Sequence, residues 1–182
     1  MDQKAPVIET PRLALRRWTP SDRQPFADMN SDPRVMEFFP RCLSRAESDE
    51  LADGIETHFE RHGFGLFAAQ VRRSGEFAGF IGLAVPAFEA HFTPAVEIGW
   101  RLDPRFWNQG LATEGARAVL RYAFDELRLD EVVSFTVPAN LASRRVMEKL
   151  GMTHDPADDF DHPRLPEGHP LRRHVLYRAV PR

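Results

Sequence analysis

The stretch Ile98-Gly99-Trp100-Arg101-Leu102-Asp103-Pro104-Arg105-Phe106-Trp107-Asn108-Gln109-Gly110-Leu111-Ala112-Thr113-Glu114 carries the most informative chemistry in the chain. It reads as a strand end, a short loop and a helix that begins near Gly110 with small residues in its first turn. The first N–H groups of any helix lack an intrahelical acceptor and sit at the positive end of its dipole, so they favour an anion. Gly110 and Ala112 keep side chains clear, which lets a diphosphate approach the main chain. The plainer reading is an ordinary strand-to-helix turn capped by glycine. A nucleotide P-loop is excluded because the Gly-Lys-Ser/Thr ending is missing, and a three-glycine dinucleotide fingerprint is absent.

A second run, Asn140-Leu141-Ala142-Ser143-Arg144-Arg145-Val146-Met147-Glu148-Lys149-Leu150-Gly151-Met152, reads as a helix capped by Asn140 and closed by Gly151. Asn140 is read as the cap of that helix. On its own the run is equally a well-capped surface helix.

The elements that position these residues follow from periodicity. Leu13, Leu15 and Arg17 alternate with Arg12, Ala14 and Arg16 as a first strand. Thr19-Pro20-Ser21-Asp22 opens a short helix running to about Asn30, and the capping box Ser44-Arg45-Ala46-Glu47 opens a longer one that Gly63 stops. Residues 64–72 and 77–85 form a hairpin about Arg73-Ser74-Gly75-Glu76, and 95–102 a third strand. Ala112, Ala116, Val119, Leu120, Ala123, Phe124 and Leu127 recur at helical spacing, the β-branched run 131–137 is another strand, and 174–180 is the last. The order β-α-α-β-β-β-α-β-α-β is a mixed sheet with helices on its faces, an α/β (α+β) arrangement and not a regular βαβ series.

Bulk properties narrow the function classes. The chain has 182 residues, 42% of them hydrophobic, which fits one domain over 1–182. A net charge of -3 and a pI near 6.2 argue against a nucleic-acid partner. No stretch approaches the roughly 20 apolar residues of a membrane span, and Met1–Pro6 lacks an apolar leader, so a cytoplasmic protein is expected. The one cysteine, Cys42, has no assignable base and reads as incidental. The His and Asp residues of His154–His162 lack a metal-ligand spacing, so no metal is expected. The acidity of that stretch suits either a solvated loop or attraction of a cationic amine.

The Arg105–Thr113 run resembles the acetyl-CoA-binding motif of the GNAT superfamily of N-acetyltransferases, Arg/Gln-x-x-Gly-x-Gly/Ala, with Arg105 in the first position and Gly110 in the last. Asn108 departs from the expected glycine, but asparagine tolerates positive φ. Glu97–Leu102 with Trp107–Glu114 is similar to the branch that acetylates ribosomal-protein N-termini, the RimJ/RimL-like enzymes. Asn140–Met152 and Glu9-Thr10-Pro11-Arg12-Leu13 extend the similarity across nearly the whole chain. The resemblance implies a mostly antiparallel sheet of six to seven strands, splayed between the strands ending at Leu102 and Val137, with helices on both faces. It further implies acetyl-CoA as cosubstrate, held by Trp100, Arg101, Leu102, Arg105, Trp107, Asn108, Gln109, Gly110, Leu111, Ala112, Thr113, Asn140 and Ser143.

The acceptor it implies is a primary amine, a peptide N-terminus or a small molecule. The amine must be neutral to attack, and Glu97 on a central strand is the candidate base, directly or through water, against a purely structural carboxylate. The tyrosine that protonates the leaving thiolate in many relatives is Met147 here, so Ser143, one turn earlier, is the candidate acid unless none is needed. The missing tyrosine also leaves a non-catalytic acyl-CoA-binding or sensing domain as the alternative. A homodimer is allowed for, although no residue pattern specifies one.

Overall fold

The computed structural model describes residues 7–181, so Met1–Pro6, where no leader pattern is read, lie outside the described residues. The strands are β1 (Ile8–Glu9), β2 (Leu13–Arg16), β3 (Leu66–Val71), β4 (Phe77–Ala84), β5 (Glu97–Leu102), β6 (Val132–Thr136), β7 (Thr153–His154), β8 (Phe160–Asp161) and β9 (Arg173–Ala179). The helices are α1 (Arg23–Ser31), α2 (Arg45–His62), α3 (Leu111–Arg121) and α4 (Leu141–Lys149). Among the described residues, no helix is long and apolar enough to cross a membrane.

The sheet runs β1-β2-β3-β4-β5-β6-β9-β7, with β8 on β9, and every pairing is antiparallel except β5 with β6. Nine strands replace the expected six to seven. The three additions, β1, β7 and β8, have two residues each and are too short to carry a detectable alternation. The local signals otherwise act as read. Ser44 Oγ accepts from the Glu47 amide, and Gly63 closes α2 with φ +76°.

β4 is buried along almost its whole length, as a central strand covered on both faces must be. On one face α3 lies close because Gly115 has no side chain: a Cβ there would stand 2.4 Å from Ile81 Cδ1. On the other face Phe26 of α1 packs edge-on to Phe80 and Phe77. Past Arg121 the α3 helix widens into a π turn at Tyr122–Glu126, which the periodicity of the sequence did not distinguish from continued α-helix.

Behind α1, Arg16 clamps the buried Asp22 with Nη1 and Nη2 at 2.7 and 2.9 Å, while the Thr19 amide donates to the same carboxylate at 2.7 Å. Burial pushes the Asp22 carboxyl up, but Arg16 and Thr19 together outweigh it and hold its pKa below the ordinary value.

Candidate functional site

The two parallel strands β5 and β6 meet in register at one place only, Glu97 with Val133, where the Val133 amide donates to the Val96 carbonyl at 2.9 Å. One step further, the Ser134 hydroxyl donates to the Ile98 carbonyl at 2.9 Å, where a strand partner's amide would ordinarily stand. The strands then part. Along β5 the odd residues turn their main chain toward β4, as the Asp103 amide on the Ala78 carbonyl shows, so the even residues face the opening. The Trp107 indole caps the Leu102 carbonyl at 2.7 Å. Trp100 is left as the residue whose main chain lies along the open edge.

The same strand leads into the α3 N-terminus. Asp103 accepts from the Arg105 amide and starts a single 3₁₀ turn at Pro104–Phe106. Asn108 then takes φ +57° and Gly110 φ +75°, both left-handed, so asparagine supports the conformation that a glycine would. No side chain caps α3, which leaves the amides of Leu111, Ala112 and Thr113 without an intrahelical acceptor. Arg12 fixes this turn from outside. Its Nη1 donates to the Gln109 carbonyl at 2.8 Å and its Nε to Glu114 at 2.6 Å, and Thr10 Oγ1 also donates to Glu114 at 2.6 Å.

A cleft of about 430 Å³ opens beside the turn, lined by Arg12, Gly110, Thr113, Arg117, Arg121 and Lys149 among others. Sequence reading missed these cations. Arg117 and Arg121 are four apart on one helix face, but without the fold nothing ties that face to Arg12 or to Lys149 on α4.

The other residues of the expected set divide. Arg105 pairs with Asp103 and Glu76, each at 3.1 Å, and is exposed, so its charge is already engaged away from the amides. Gln109 Nε2 is tied to the Arg105 carbonyl at 2.8 Å. Arg101, expected with the cofactor-binding residues, projects to the opposite face, where its Nη1 donates to Asn30 Oδ1 at 2.6 Å.

Glu97 shares that face of β5 by the two-residue period. The residue is only partly exposed, and protein crowds the carboxyl closely enough that burial lifts its pKa to about 8. No hydrogen bond to another described residue holds it.

On α4, Asn140 Oδ1 accepts from the Ser143 amide at 3.2 Å and its Nδ2 donates to Thr136 Oγ1 at 3.0 Å, so the cap is built and one amide hydrogen remains. Ser143 Oγ makes no hydrogen bond among the described residues. Met147 is 1% exposed and packs in the main core.

In the acidic segment after His154, Asp158 binds Arg178 at 2.7 Å, Asp159 binds His154 at 2.8 Å, Asp161 lies 3.5 Å from both Arg172 and Arg173, and Asp155 caps the Ala157 amide. Its aromatic members do more, for Phe160 and His162 join Phe88, Phe92, Phe135 and His174 in one cluster on the Val133 face of β6.

Comparison with known proteins agrees with this architecture. A family model for the acetyltransferase (GNAT) domain matches residues 12–153. The FsC-acetyl coenzyme A-N(2)-transacetylase of Aspergillus fumigatus is 37% identical over 158 residues, which cover 82% of this chain and 66% of that protein. An acetyltransferase (GNAT family) from Bacillus anthracis superposes with a TM-score of 0.78 at 24% identity, covering 96% of this chain and 98% of its own. RimL, a ribosomal L7/L12 alpha-N-protein acetyltransferase solved with coenzyme A, superposes with a TM-score of 0.76 at 18% identity, covering 96% and 98%, and shares the fold.

Proposed function

Because the chain belongs to the GNAT acetyltransferase family, we propose that it moves an acetyl group from acetyl-coenzyme A to a primary amine by direct attack on the thioester. The observation that carries this reading is the juxtaposition along one strand: β5 opens away from β6 immediately after Glu97 and ends at an uncapped helix N-terminus.

The amides of Leu111, Ala112 and Thr113 would hold the cosubstrate's diphosphate, and Arg117, Arg121 and Lys149 add positive charge beside it. The open edge at Trp100 suits the amide-rich arm, which would pair with it as an added strand does. When bound, acetyl-CoA supplies the activated acyl group.

The chain's own residues then handle protons and charge. Glu97 takes a proton from the acceptor ammonium, directly or through water, so that the nitrogen lone pair can form the new C–N bond. A main-chain N–H at the opening stabilises the oxyanion that develops as the carbonyl is attacked. The C–S bond breaks as the oxyanion collapses, and the amine's second proton is released. A thiol of ordinary pKa near 8.5 leaves as thiolate without an acid, which fits a buried Met147 and leaves Ser143 as an optional donor. Asn140, with one amide hydrogen free, would donate to the arm.

Coenzyme A release, followed as free thiol across a panel of amines and N-terminal peptides, tests the reading. Acetyl-CoA-dependent release with at least one amine is expected. Thermal stabilisation by acetyl-CoA with no release from any amine overturns catalysis in favour of a sensing domain.

A further inference from the structure

Arg101 is half-buried on the Glu97 face of β5, and no carboxylate among the described residues pairs with it. Its guanidinium stands over Phe39 and Phe80, 4.1 and 5.3 Å from the two ring centroids. Nη1 is bound to Asn30, which is 0% exposed and is itself fixed by its Nδ2 hydrogen bond to the buried Ser48. Nε is buried with no partner, and Nη2 makes no hydrogen bond among the described residues. The other buried or half-buried arginines at the sheet's edges differ, since Arg16, Arg17 and Arg178 each reach a carboxylate within 2.7 Å. Burial, with no neighbouring carboxylate to offset it, lowers the Arg101 pKa to about 10, so the group stays cationic at neutral pH.

Three further facts point this cation at a ligand. Arg101 and Glu97 are four residues apart on one face of β5, about 13 Å along the strand at Cα. Between them stands Gly99, where an added Cβ would meet only Glu97 Oε1, at 3.9 Å, so no side chain of the strand fills the gap. Across the opening, two of the acids that would attract a cationic acceptor, Asp158 and Asp161, already meet Arg178, Arg172 and Arg173. An uncompensated buried charge is costly unless something pairs with it, and a guanidinium fork matches a planar carboxylate through two parallel hydrogen bonds.

Resting on the transferase reading, we propose that Arg101 binds a carboxylate carried by the acceptor amine, so that the chain acetylates amino acids or short peptides with a free carboxylate, with Glu97 facing their amino group. Phe39 and Phe80 hold the guanidinium in place by stacking, and Asn30 fixes its rotation. The aromatic cluster about Phe88 and Phe135 forms an apolar wall toward which the acceptor's side chain can turn.

The test uses acceptor pairs that differ only in carboxylate against carboxamide: phenylalanine with its amide, and a dipeptide with its amide. Wild type is expected to favour the acid by at least tenfold in kcat/KM. In R101M, which keeps the volume and removes the charge, that preference should vanish through a rise of about 10- to 100-fold in KM for the acid. The acetyl-CoA KM and turnover of the amide should hold, and R101K should keep part of the preference. Should R101M fail to fold, as judged by circular dichroism, R101K alone decides, because loss of the fork must still weaken the acid selectively. Turnover of acid and amide alike by wild type, or an equal loss on both in the variants, overturns the proposal and leaves the transferase reading standing. Absence of thiol release with every acceptor overturns both.

Discussion

The Ser134 hydroxyl and the Ile98 carbonyl, 2.9 Å apart, form the last link between β5 and β6 before the sheet opens. A side chain standing in for a strand amide ends the ladder there while leaving the buried carbonyl satisfied. The same two strands are fixed in register one residue earlier, at Glu97 and Val133, so the opening has a defined origin beside the carboxylate. Ser134→Ala removes the donor and leaves the Ile98 carbonyl unsatisfied in a buried position. A loss of about 1–3 kcal/mol in urea unfolding is expected. A variant as stable as wild type would show that the carbonyl finds another donor and that Ser134 does not hold the opening.

The conformation of the turn before α3 depends on Gly110, which sits at φ +75° with its would-be Cβ 3.6 Å from Arg12 Nη2. Space is not the obstacle; the left-handed backbone is. Gly110→Val imposes strain of about 1–3 kcal/mol, and the turn relaxes by rotating the amides of residues 111–113. Calorimetric titration with acetyl-CoA should show at least tenfold weaker binding, with the circular dichroism spectrum retained. Unchanged affinity would remove those amides from the binding site.

Much of this arrangement was legible in the sequence because it is written in local chemistry. The Ser44 and Glu47 capping box, the glycine stop at Gly63, the Asn140 cap and the positive φ of Asn108 are each decided within a few residues. What was not legible depends on residues brought together from far apart. Thr10 and Arg12 reach Glu114 and Gln109 about a hundred positions away, and Lys149 joins Arg117 only because α3 and α4 are neighbours. Arg105 and Arg101 stand four apart in one motif-like run, but strand alternation and the 3₁₀ turn send one to surface carboxylates and the other to Asn30. The acidity of the segment after His154 suggests attraction of a cation until the pairing with Arg172, Arg173 and Arg178 is seen.

Arg16 and Asp22 offer a test of what anchors α1 on the sheet face that carries Phe80 and Arg101. Asp22→Ala leaves Arg16, itself mostly covered, without its partner, and breaking such a pair costs about 3–5 kcal/mol. The carboxyl's folded pKa is held below its unfolded one, so its stabilisation is complete above the unfolded value near 4 and disappears as pH falls through the folded pKa. Urea unfolding at pH 7 should therefore separate the variant clearly from wild type, and the gap should narrow on acidification below pH 4. A gap that persists undiminished at pH 2 would mean that packing, not the charge pair, carries the effect.

Glu97 gives the sharpest pH prediction because its displacement is opposite to that of Asp22. Burial raises its pKa from the ordinary 4.5 to about 8. The folded chain thus holds a proton that the unfolded chain releases, and stability must fall as pH rises across that window. Glu97→Gln abolishes the dependence, so its melting temperature should pull ahead of wild type between pH 5 and pH 8 and keep a constant lead above.

The rates add an independent check. With an acceptor amine of pKa near 10, wild-type kcat/KM should rise about tenfold per pH unit until Glu97 ionises near pH 8 and then level. The glutamine variant depends only on the free amine, so its rate should keep rising to pH 10. Its deficit of about 10²- to 10⁴-fold should hold constant below pH 8 and shrink above it. A deficit independent of pH throughout, with acetyl-CoA affinity unchanged, would relieve Glu97 of the role of base and leave it a structural carboxyl.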